Sequence, residues 1–264
     1  RTIYRHKIGS SVKEDLLIFE EKSEAFTVGI GLSSDEKYYF ITSSDHNTSE
    51  QYYFSVNETK PEPKLMQKRE KGIIYSINSW GGYFYMHTNK GAEDFKIDKT
   101  NDISFVKWES YIPAKDETLI GGLTFLNNWI IRSEVTNALG KIFVKNLKNE
   151  KEEELIFSDE KVFDGGVSLV QKDKNTDLVH ISYSTPKTQS RVYLYNLKSK
   201  EKKLVKEQII PSGHNPDDYI VERFDCESHD GRKVPITITR HKKTNIDGNA
   251  NLLLYGYGSY GNSM

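Results

Sequence analysis

The feature that most constrains the fold of this chain is a weak repeat of about 45 to 50 residues, which recurs over roughly the first 210 positions. Within each copy, short segments rich in Tyr, Phe, Ile and Val alternate with clusters of Asn, Asp, Ser and Gly, which is the pattern of β-strands joined by turns. One set of segments occupies residues 38–42, 83–87, 128–132 and 178–182. A second set occupies residues 2–6, 51–56, 94–97, 141–144 and 191–195. A third set closes the copies at residues 16–19, 64–66, 155–157 and 203–205.

Several strands in each repeat of this length are typical of the blades of a β-propeller. A single four-stranded blade cannot bury both of its faces, so blades stack on one another. Because the three sets of segments recur in the same order, we predict a mainly β chain with four blades and part of a preceding one. The alternative is a β-sandwich with ordinary strand alternation.

The character of the chain changes after the repeat. A segment rich in Pro, Gly, Asn and Asp, residues 211–218, is typical of a linker. Two strand-like segments follow, with Asp230 and Gly231 between them as a favoured two-residue hairpin turn, and Pro235 indicates an edge position for the second strand. Leu252 to Tyr255 are apolar throughout, as in a central strand that is buried on both faces.

A hairpin, a buried strand and then a glycine-rich loop are how an α/β-hydrolase domain begins. We therefore predict propeller blades in residues 1–213, a linker in residues 214–218 and the start of an α/β-hydrolase domain in residues 219–264.

Composition gives no sign of a nucleic-acid or membrane partner. The 37 basic and 38 acidic residues nearly cancel, and no apolar run approaches the ~20 residues that a membrane span needs. Cys226 is the sole cysteine, which excludes an internal disulfide and a cysteine-based metal site and favours a reducing, cytoplasmic setting. We expect no metal and no cofactor, because the histidines show no metal-ligand spacing: His6, His46, His87, His180, His214, His229 and His241.

The glycine-rich segment from Gly256 to Gly261 fits two kinds of site. Its G-x-G-x-x-G spacing after a strand matches a dinucleotide-binding turn, which also needs a helix directly afterwards and an acidic residue ~20 positions further on. The bulky tyrosines between the glycines would crowd the helix–strand packing of such a turn. The other interpretation is an oxyanion loop, in which a phenol held by flanking glycines donates to the negative charge that develops during acyl transfer.

Four motifs carry a resemblance to a known family: residues 4–9, 181–186, 228–235 and, above all, Leu254-Tyr255-Gly256-Tyr257-Gly258-Ser259-Tyr260-Gly261. With these motifs the chain resembles the oligopeptidase B branch of the prolyl oligopeptidase family of serine peptidases, over essentially its whole length. The resemblance implies the later blades of a seven-bladed propeller, which covers the mouth of an α/β-hydrolase domain and restricts entry to short peptides. By position in the motif, Tyr257 corresponds to an oxyanion-stabilising tyrosine and Tyr260 to an aromatic residue near the substrate pocket.

The same resemblance implies catalytic residues that this sequence does not contain. In the family the nucleophile elbow, the Asp and the His follow later in the chain, and the 264 residues hold no G-x-S-x-G motif. We expect the full-length protein to cleave short peptides after Arg or Lys, with the remaining catalytic part as partner, and the present chain to be inactive alone. The alternative function is a stand-alone propeller that serves as an interaction scaffold.

Other conspicuous residues have simpler interpretations. Ser259 lacks the elbow pattern and is not expected to be a nucleophile. Trp80, Trp108 and Trp129 are expected to pack between blades. Glu152–Glu154 is expected to be an exposed turn, and residues 164–166 a second turn.

Overall fold

The computed structural model describes residues 1–156, 162, 164–170 and 173–258. These residues form β-strands and two single-turn 3-10 helices, Val12–Glu14 and Pro216–Asp218. Among them, no helix has the length and apolar character that a membrane crossing requires. The chain divides into two compact units, Arg1–Ile120 and Gly121–Met264.

The first unit contains three antiparallel sheets, in which each strand pairs with its neighbours along the chain. The two-stranded sheet consists of β1 (Thr2–Arg5) and β2 (Leu16–Glu20). The next sheet consists of β3 (Thr27–Leu32), β4 (Tyr38–Ser44), β5 (Ser49–Ser55) and β6 (Lys64–Gln67). The third consists of β7 (Tyr75–Trp80), β8 (Tyr83–Thr88), β9 (Lys96–Thr100) and β10 (Glu109–Ile112).

The two four-stranded sheets of this unit pack together through apolar and polar contacts. Their shared core contains Phe40, Tyr53, Met66, Tyr75, Ile77, Phe84, Met86 and Phe105. Side chains of β5 also bond to the backbone of β7: the Tyr75 amide donates to Ser49 Oγ (2.6 Å) and the Ile77 amide to Gln51 Oε1 (2.6 Å). These bonds satisfy backbone groups on the strand edge that has no neighbour within its own sheet.

The second unit contains two further four-stranded sheets and a hairpin. The first sheet consists of β11 (Thr118–Leu126), which starts just before the boundary, β12 (Trp129–Thr136), β13 (Leu139–Asn146) and β14 (Glu152–Glu154). The second consists of β15 (Asp164–Leu169), β16 (Leu178–Ser184), β17 (Arg191–Asn196) and β18 (Lys202–Glu207). The hairpin consists of β19 (Tyr219–Glu227) and β20 (Lys233–His241).

The two four-stranded sheets of this unit also share a buried core. It contains Leu126, Trp129, Ile131, Ile142, Val144, Leu155, Val179, Ile181, Tyr183, Tyr195 and Leu197. Burial alternates along β16, as expected for a strand whose side chains point alternately to two faces. The prediction of a mainly β chain built of four-stranded blades is therefore confirmed.

The repeat predicted some strands of each four-stranded sheet and missed others. The first set of segments coincides with the second strands, β4, β8, β12 and β16. The second set coincides with the third strands, β5, β9, β13 and β17, apart from residues 2–6, which coincide with β1. The first strands of the sheets, β3, β7, β11 and β15, were not predicted. In these strands Gly, Ser or Asn interrupt the aromatic and β-branched residues on which the prediction relied.

Two predicted turns are strands. Glu152–Glu154 is exposed as expected, but it forms β14 and pairs with β13, because Leu155 directly after it is buried and holds the segment against the sheet. The third set had placed this strand at residues 155–157, of which residue 157 lies outside the described part. Residues 164–166 open β15, where Gly166 lies opposite Ser182.

The connection between β19 and β20 differs from the predicted two-residue turn. The Gly231 amide donates to the Ser228 carbonyl (2.9 Å), and the Ser228 amide donates to the Arg232 carbonyl (2.8 Å). Gly231 has a φ of +79°. This is a type I turn followed by a glycine bulge, a three-residue hairpin loop in which the glycine supplies the left-handed conformation.

The predicted buried strand Leu252–Tyr255 is wrong for this structure. Residues 251–258 form no strand, and the side chains of Leu252, Leu253 and Leu254 are more than 80% exposed. A central strand requires neighbours on both edges to pair its backbone, and no described segment lies alongside this one.

Candidate functional site

Tyr257, the predicted oxyanion residue, lies in the irregular segment 251–258. Its side chain is about half exposed, at 49%, and no described residue hydrogen-bonds to its phenol. A Cβ atom placed on Gly256 or Gly258 would meet nothing within 4 Å, so the glycines flank open space. The phenol is therefore accessible, and no hydrogen bond from a described residue fixes its orientation. Tyr260, the predicted substrate-binding residue, and Ser259 lie outside the described residues.

The hairpin that precedes this segment is tethered to turns of the second unit. The His214 ring hydrogen-bonds through Nε2 to the Lys187 carbonyl (2.7 Å), in the connection between β16 and β17. Arg223 on β19 donates through Nη2 to the Asn137 carbonyl, in the turn between β12 and β13. At the base of the hairpin, the Lys242 amide donates to the Asp218 carbonyl (2.8 Å).

A cavity of about 830 Å³ lies beside this hairpin. One wall is the consecutive run of β19 residues from Tyr219 to Phe224, and Lys187 and Val162 line other parts. The described lining thus includes the aromatic residue Tyr219 and the charged residues Lys187, Glu222 and Arg223.

Besides His214, three histidines take part in local hydrogen bonds. His6 bonds through Nδ1 to Asp15 Oδ1 (2.6 Å), and His241 Nδ1 accepts from the Lys243 amide (3.1 Å). His87 packs flat on the Phe95 ring and bonds to the Ile120 carbonyl (2.7 Å). Burial lowers the pKa of His87, so this side chain is neutral near pH 7.

In the described part of the chain, no group of three or more His, Cys, Asp or Glu side chains could hold a metal ion. His6 and Asp15 have the geometry of a base and its orienting carboxylate. However, no described serine or cysteine hydrogen-bonds to His6, so the pair has no nucleophile to activate.

A buried ion cluster in the first unit was not predicted from the sequence. Arg69 bonds to Glu21 (2.9 Å) and to Glu50 (3.1 Å), and the two carboxylate side chains are each 5% exposed. The Arg69 guanidinium also lies 4.2 Å from the centre of the Phe26 ring. Burial and the adjacent Glu50 carboxylate raise the pKa of Tyr52 to about 12.

Hydrogen bonds determine the charge state of Glu21. Burial acts to raise its pKa, but donation from the Ser23 amide, the Ser43 hydroxyl and Arg69 outweighs burial and leaves the pKa below its ordinary value. Glu21 follows β2, and Arg69 follows β6. The cluster therefore ties the connection before β3 to the far end of the same sheet.

A second cluster lies within the third four-stranded sheet. Arg132 on β12 donates to Glu134 (2.9 Å) and, through two nitrogens, to both oxygens of Glu152 (2.8 and 3.0 Å). Its guanidinium lies 4.6 Å from the centre of the Phe143 ring. The i, i+2 spacing of Arg132 and Glu134, which places both on one face of a strand, is the signal by which sequence could have found this pair.

The tryptophans pack as predicted where their contacts are described. Trp129 is buried in the core of the second unit and donates to Asp177 Oδ1 (2.7 Å). Trp108 packs against the core of the first unit and donates to the Phe105 carbonyl (3.0 Å). These contacts support the sheets.

Comparison with known proteins agrees with this architecture. Residues 1–208 match the model of the prolyl oligopeptidase N-terminal β-propeller domain. Dipeptidyl aminopeptidase BI of Pseudoxanthomonas mexicana is 28% identical over 100% of the chain, and Protease 2 of Moraxella lacunata is 29% identical over 99%. The chain spans only 36% and 37% of the lengths of these two relatives.

A solved structure is similar in both sequence and fold. Oligopeptidase B from Trypanosoma brucei, with covalently bound antipain, superposes with a TM-score of 0.89 at 27% identity. The match covers 98% of this chain and 38% of that protein. It therefore extends past the blades and includes the hairpin of β19 and β20.

Proposed function

The chain belongs to the prolyl oligopeptidase family, and on that premise we propose that it is the propeller and oxyanion-loop part of a serine oligopeptidase. The match of residues 1–208 to the family's propeller domain, continued by the fold likeness over 98% of the chain, carries this proposal. The blades would restrict the active site to short peptides. The segment after the hairpin would supply the phenol of Tyr257 to the developing oxyanion.

We further propose that the full-length protein cleaves after Arg or Lys, as the motif resemblance to the oligopeptidase B branch implies. One relative points to a different substrate specificity, because it is named as a dipeptidyl aminopeptidase. Three fluorogenic substrates distinguish these activities: a blocked dipeptide ending in Arg, a blocked dipeptide ending in Pro, and a dipeptide with a free amino terminus.

The expected result is turnover of the Arg substrate by the full-length protein, with serine-specific labelling by a fluorophosphonate. Preference for the Pro substrate would contradict the assignment to the oligopeptidase B branch. Cleavage of only the substrate with a free amino terminus would indicate a dipeptidyl aminopeptidase. Absence of all three activities in a folded, full-length protein would favour the scaffold function.

The 264 residues alone should hydrolyse none of these substrates. An oxyanion donor accelerates acyl transfer only where a nucleophile and its base attack the carbonyl, and this sequence contains no G-x-S-x-G motif. Purified chain that both turns over the Arg substrate and is labelled by the fluorophosphonate would overturn this part of the proposal.

A further inference from the structure

Asp–Gly pairs are positions at which a polypeptide backbone can rearrange without an enzyme, and this sequence contains three of them. They are Asp164–Gly165, Asp230–Gly231 and Asp247–Gly248. Because glycine has no side chain, its amide nitrogen can come closer to the carboxyl group of the preceding aspartate than the amide of any other residue. Whether a given pair reacts depends on how the fold holds that amide and that carboxyl group.

The rearrangement has two steps and needs no reagent other than water. The glycine amide nitrogen attacks the carbon of the protonated aspartate carboxyl group and forms a C–N bond. The carboxyl hydroxyl and the amide proton leave together as one water molecule, which gives a succinimide ring. Water then opens the ring at either carbonyl. One opening returns aspartate, and the other leaves isoaspartate, in which the main chain runs through the former side-chain carboxyl carbon.

The first pair is held in a paired strand. Asp164 and Gly165 lie in β15, opposite Ser184 and Tyr183 of β16. For the glycine nitrogen to reach the carboxyl carbon, the peptide between the two residues must rotate out of the extended conformation, which would break the pairing of the strand. We therefore expect this pair to stay intact while the sheet is folded.

The second pair lies in the closed loop between β19 and β20, where both reacting groups have partners. The Gly231 amide, which would be the nucleophile, donates to the Ser228 carbonyl (2.9 Å). The Asp230 carboxylate accepts from the Ser228 hydroxyl and from the Arg232 amide (3.2 Å). These donors, the Ser228 hydroxyl above all, lower the pKa of Asp230 and so reduce the protonated fraction that can react.

The third pair lies in an irregular loop without these restraints. Residues 245–250 lie outside helices and strands and are all exposed. Among the described residues, none accepts a hydrogen bond from the Gly248 amide. The Asp247 carboxylate accepts from the Asn249 amide (3.0 Å), and this bond folds the carboxyl group back along the chain over the Gly248 peptide. A Cβ atom on Gly248 would meet nothing within 4 Å, so the peptide has space to rotate.

We propose that Asp247 is a modification site, which converts to isoaspartate in the folded protein and then serves as substrate for a carboxyl methyltransferase that repairs isoaspartate. Such an enzyme transfers a methyl group from S-adenosylmethionine to the α-carboxylate, which the rearrangement has taken out of the main chain. Methanol leaves when the succinimide forms again. The site is independent of the proposed peptidase activity. Its loop joins β20 to the segment of Tyr257, so the added main-chain carbon lies in the connection to the candidate oxyanion residue.

Ageing of the purified full-length protein tests this site. The protein is incubated at neutral pH and physiological temperature for several weeks, and the fraction that keeps its original circular dichroism spectrum is analysed. Methyl transfer from labelled S-adenosylmethionine by a purified isoaspartyl methyltransferase measures the total isoaspartate. Mass spectrometry after digestion with endoproteinase Asp-N, which cuts before aspartate but not before isoaspartate, locates it. The yield at Asp247 should be at least about fivefold above that at Asp230, where attack must first break the hydrogen bond of the Gly231 amide.

Two variants and one unfolded sample are the controls. Asp247→Glu should abolish the signal of this loop, because glutamate would have to close a larger and less readily formed ring. Asp230→Glu should leave the yield at Asp247 unchanged. In concentrated urea the restraints at Asp230 are lost, so the two yields should become similar. The proposal is overturned if the folded full-length protein forms no isoaspartate at Asp247, if the folded yields at the two positions are equal, or if urea leaves their ratio unchanged.

Discussion

A phenol stabilises an oxyanion only when its hydroxyl is held where negative charge develops. Tyr257 has the flanking glycines and the accessibility for this role, but in the described residues nothing fixes its hydroxyl. If the remainder of the full-length protein positions it, Tyr257→Phe removes a hydrogen bond made mainly in the transition state. We expect kcat for the Arg substrate to fall on the order of 10²-fold or more with little change in KM.

Tyr255→Phe is the matched control, because Tyr255 lies two residues away and is 71% exposed. It should leave kcat unchanged. Tyr260→Ala should instead raise KM, because it removes surface from the predicted substrate pocket. If kcat is unchanged in a well-folded Tyr257→Phe protein, Tyr257 does not stabilise the oxyanion, and the proposed catalytic role of this chain is wrong. If Tyr257→Phe and Tyr260→Ala both lower stability and change the kinetics in the same way, the two tyrosines are packing residues without a role in catalysis or substrate binding.

The Arg69 cluster gives a stability prediction. Arg69→Met leaves the carboxylates of Glu21 and Glu50 buried without their shared cation, which is the costly way to break a buried ion pair. Because Arg69 is 30% exposed and water screens part of the loss, we expect a decrease of about 2 kcal/mol in the free energy of unfolding, measured in urea. Lys90→Met, which breaks an exposed pair with Glu70, should cost less than about 1 kcal/mol.

The lowered pKa of Glu21 makes part of this stability depend on pH. A group whose pKa is lower in the folded state contributes stability above its ordinary value, here 4.5, and loses that contribution as the pH falls through the folded value. The stability difference between the wild-type protein and Glu21→Gln should therefore be largest near pH 7 and shrink below pH 4.5. A difference that stays constant from pH 7 to pH 3 would contradict this assignment.

At the scale of the element, β11 contains a position that only glycine fits. A Cβ atom on Gly121 would lie 2.1 Å from Ser133 Oγ and 2.9 Å from the Ser133 carbonyl oxygen, whereas one on Gly122 would meet nothing within 4 Å. The hydroxyl can rotate away, but the carbonyl cannot. Gly121→Ala should destabilise the protein by about 1–3 kcal/mol, and Gly122→Ala by less than about 1 kcal/mol. Equal thermal midpoints for the two variants would show that β11 shifts without cost.

The same contacts explain which strands could be predicted from the sequence. The second and third strands bury aromatic and β-branched residues against a neighbouring sheet, as Phe40 and Ile181 do, and this leaves a recurring pattern. The first strands also meet other requirements. At Gly121 the backbone of a neighbouring strand comes too close for a side chain, and the Tyr75 amide donates a hydrogen bond to a side chain of another sheet. Such requirements produce no apolar alternation.

The candidate site was harder to predict from the sequence than the fold. The glycine-rich motif identified Tyr257, but the position of its phenol depends on partners that local sequence does not encode. The tether through Arg223 and Asn137 joins residues 86 positions apart and uses a backbone carbonyl, which any residue provides. A contact of this kind has no signature in composition or spacing.

At the scale of the whole molecule, exposed apolar side chains include a group near each end of the chain. Near the start of the chain, β1 pairs only with β2 among the described strands, and the large apolar side chains Tyr4, Ile8, Val12, Leu16, Leu17, Ile30 and Leu32 are exposed. Near its end, residues 252–255 are apolar, exposed and outside any strand. Open strand edges beside exposed apolar residues favour association between chains.

The purified 264-residue polypeptide should therefore self-associate, whereas the full-length protein, in which further segments can cover these surfaces, should not. Size-exclusion chromatography with light scattering measures both. A double substitution of Ile30 and Leu32 by Lys should reduce association, because it places charge on the exposed strand β3. The same substitution of Leu252 and Leu254 tests the other surface. A wild-type polypeptide that is a monodisperse monomer and melts cooperatively would show that both surfaces are covered within the chain itself.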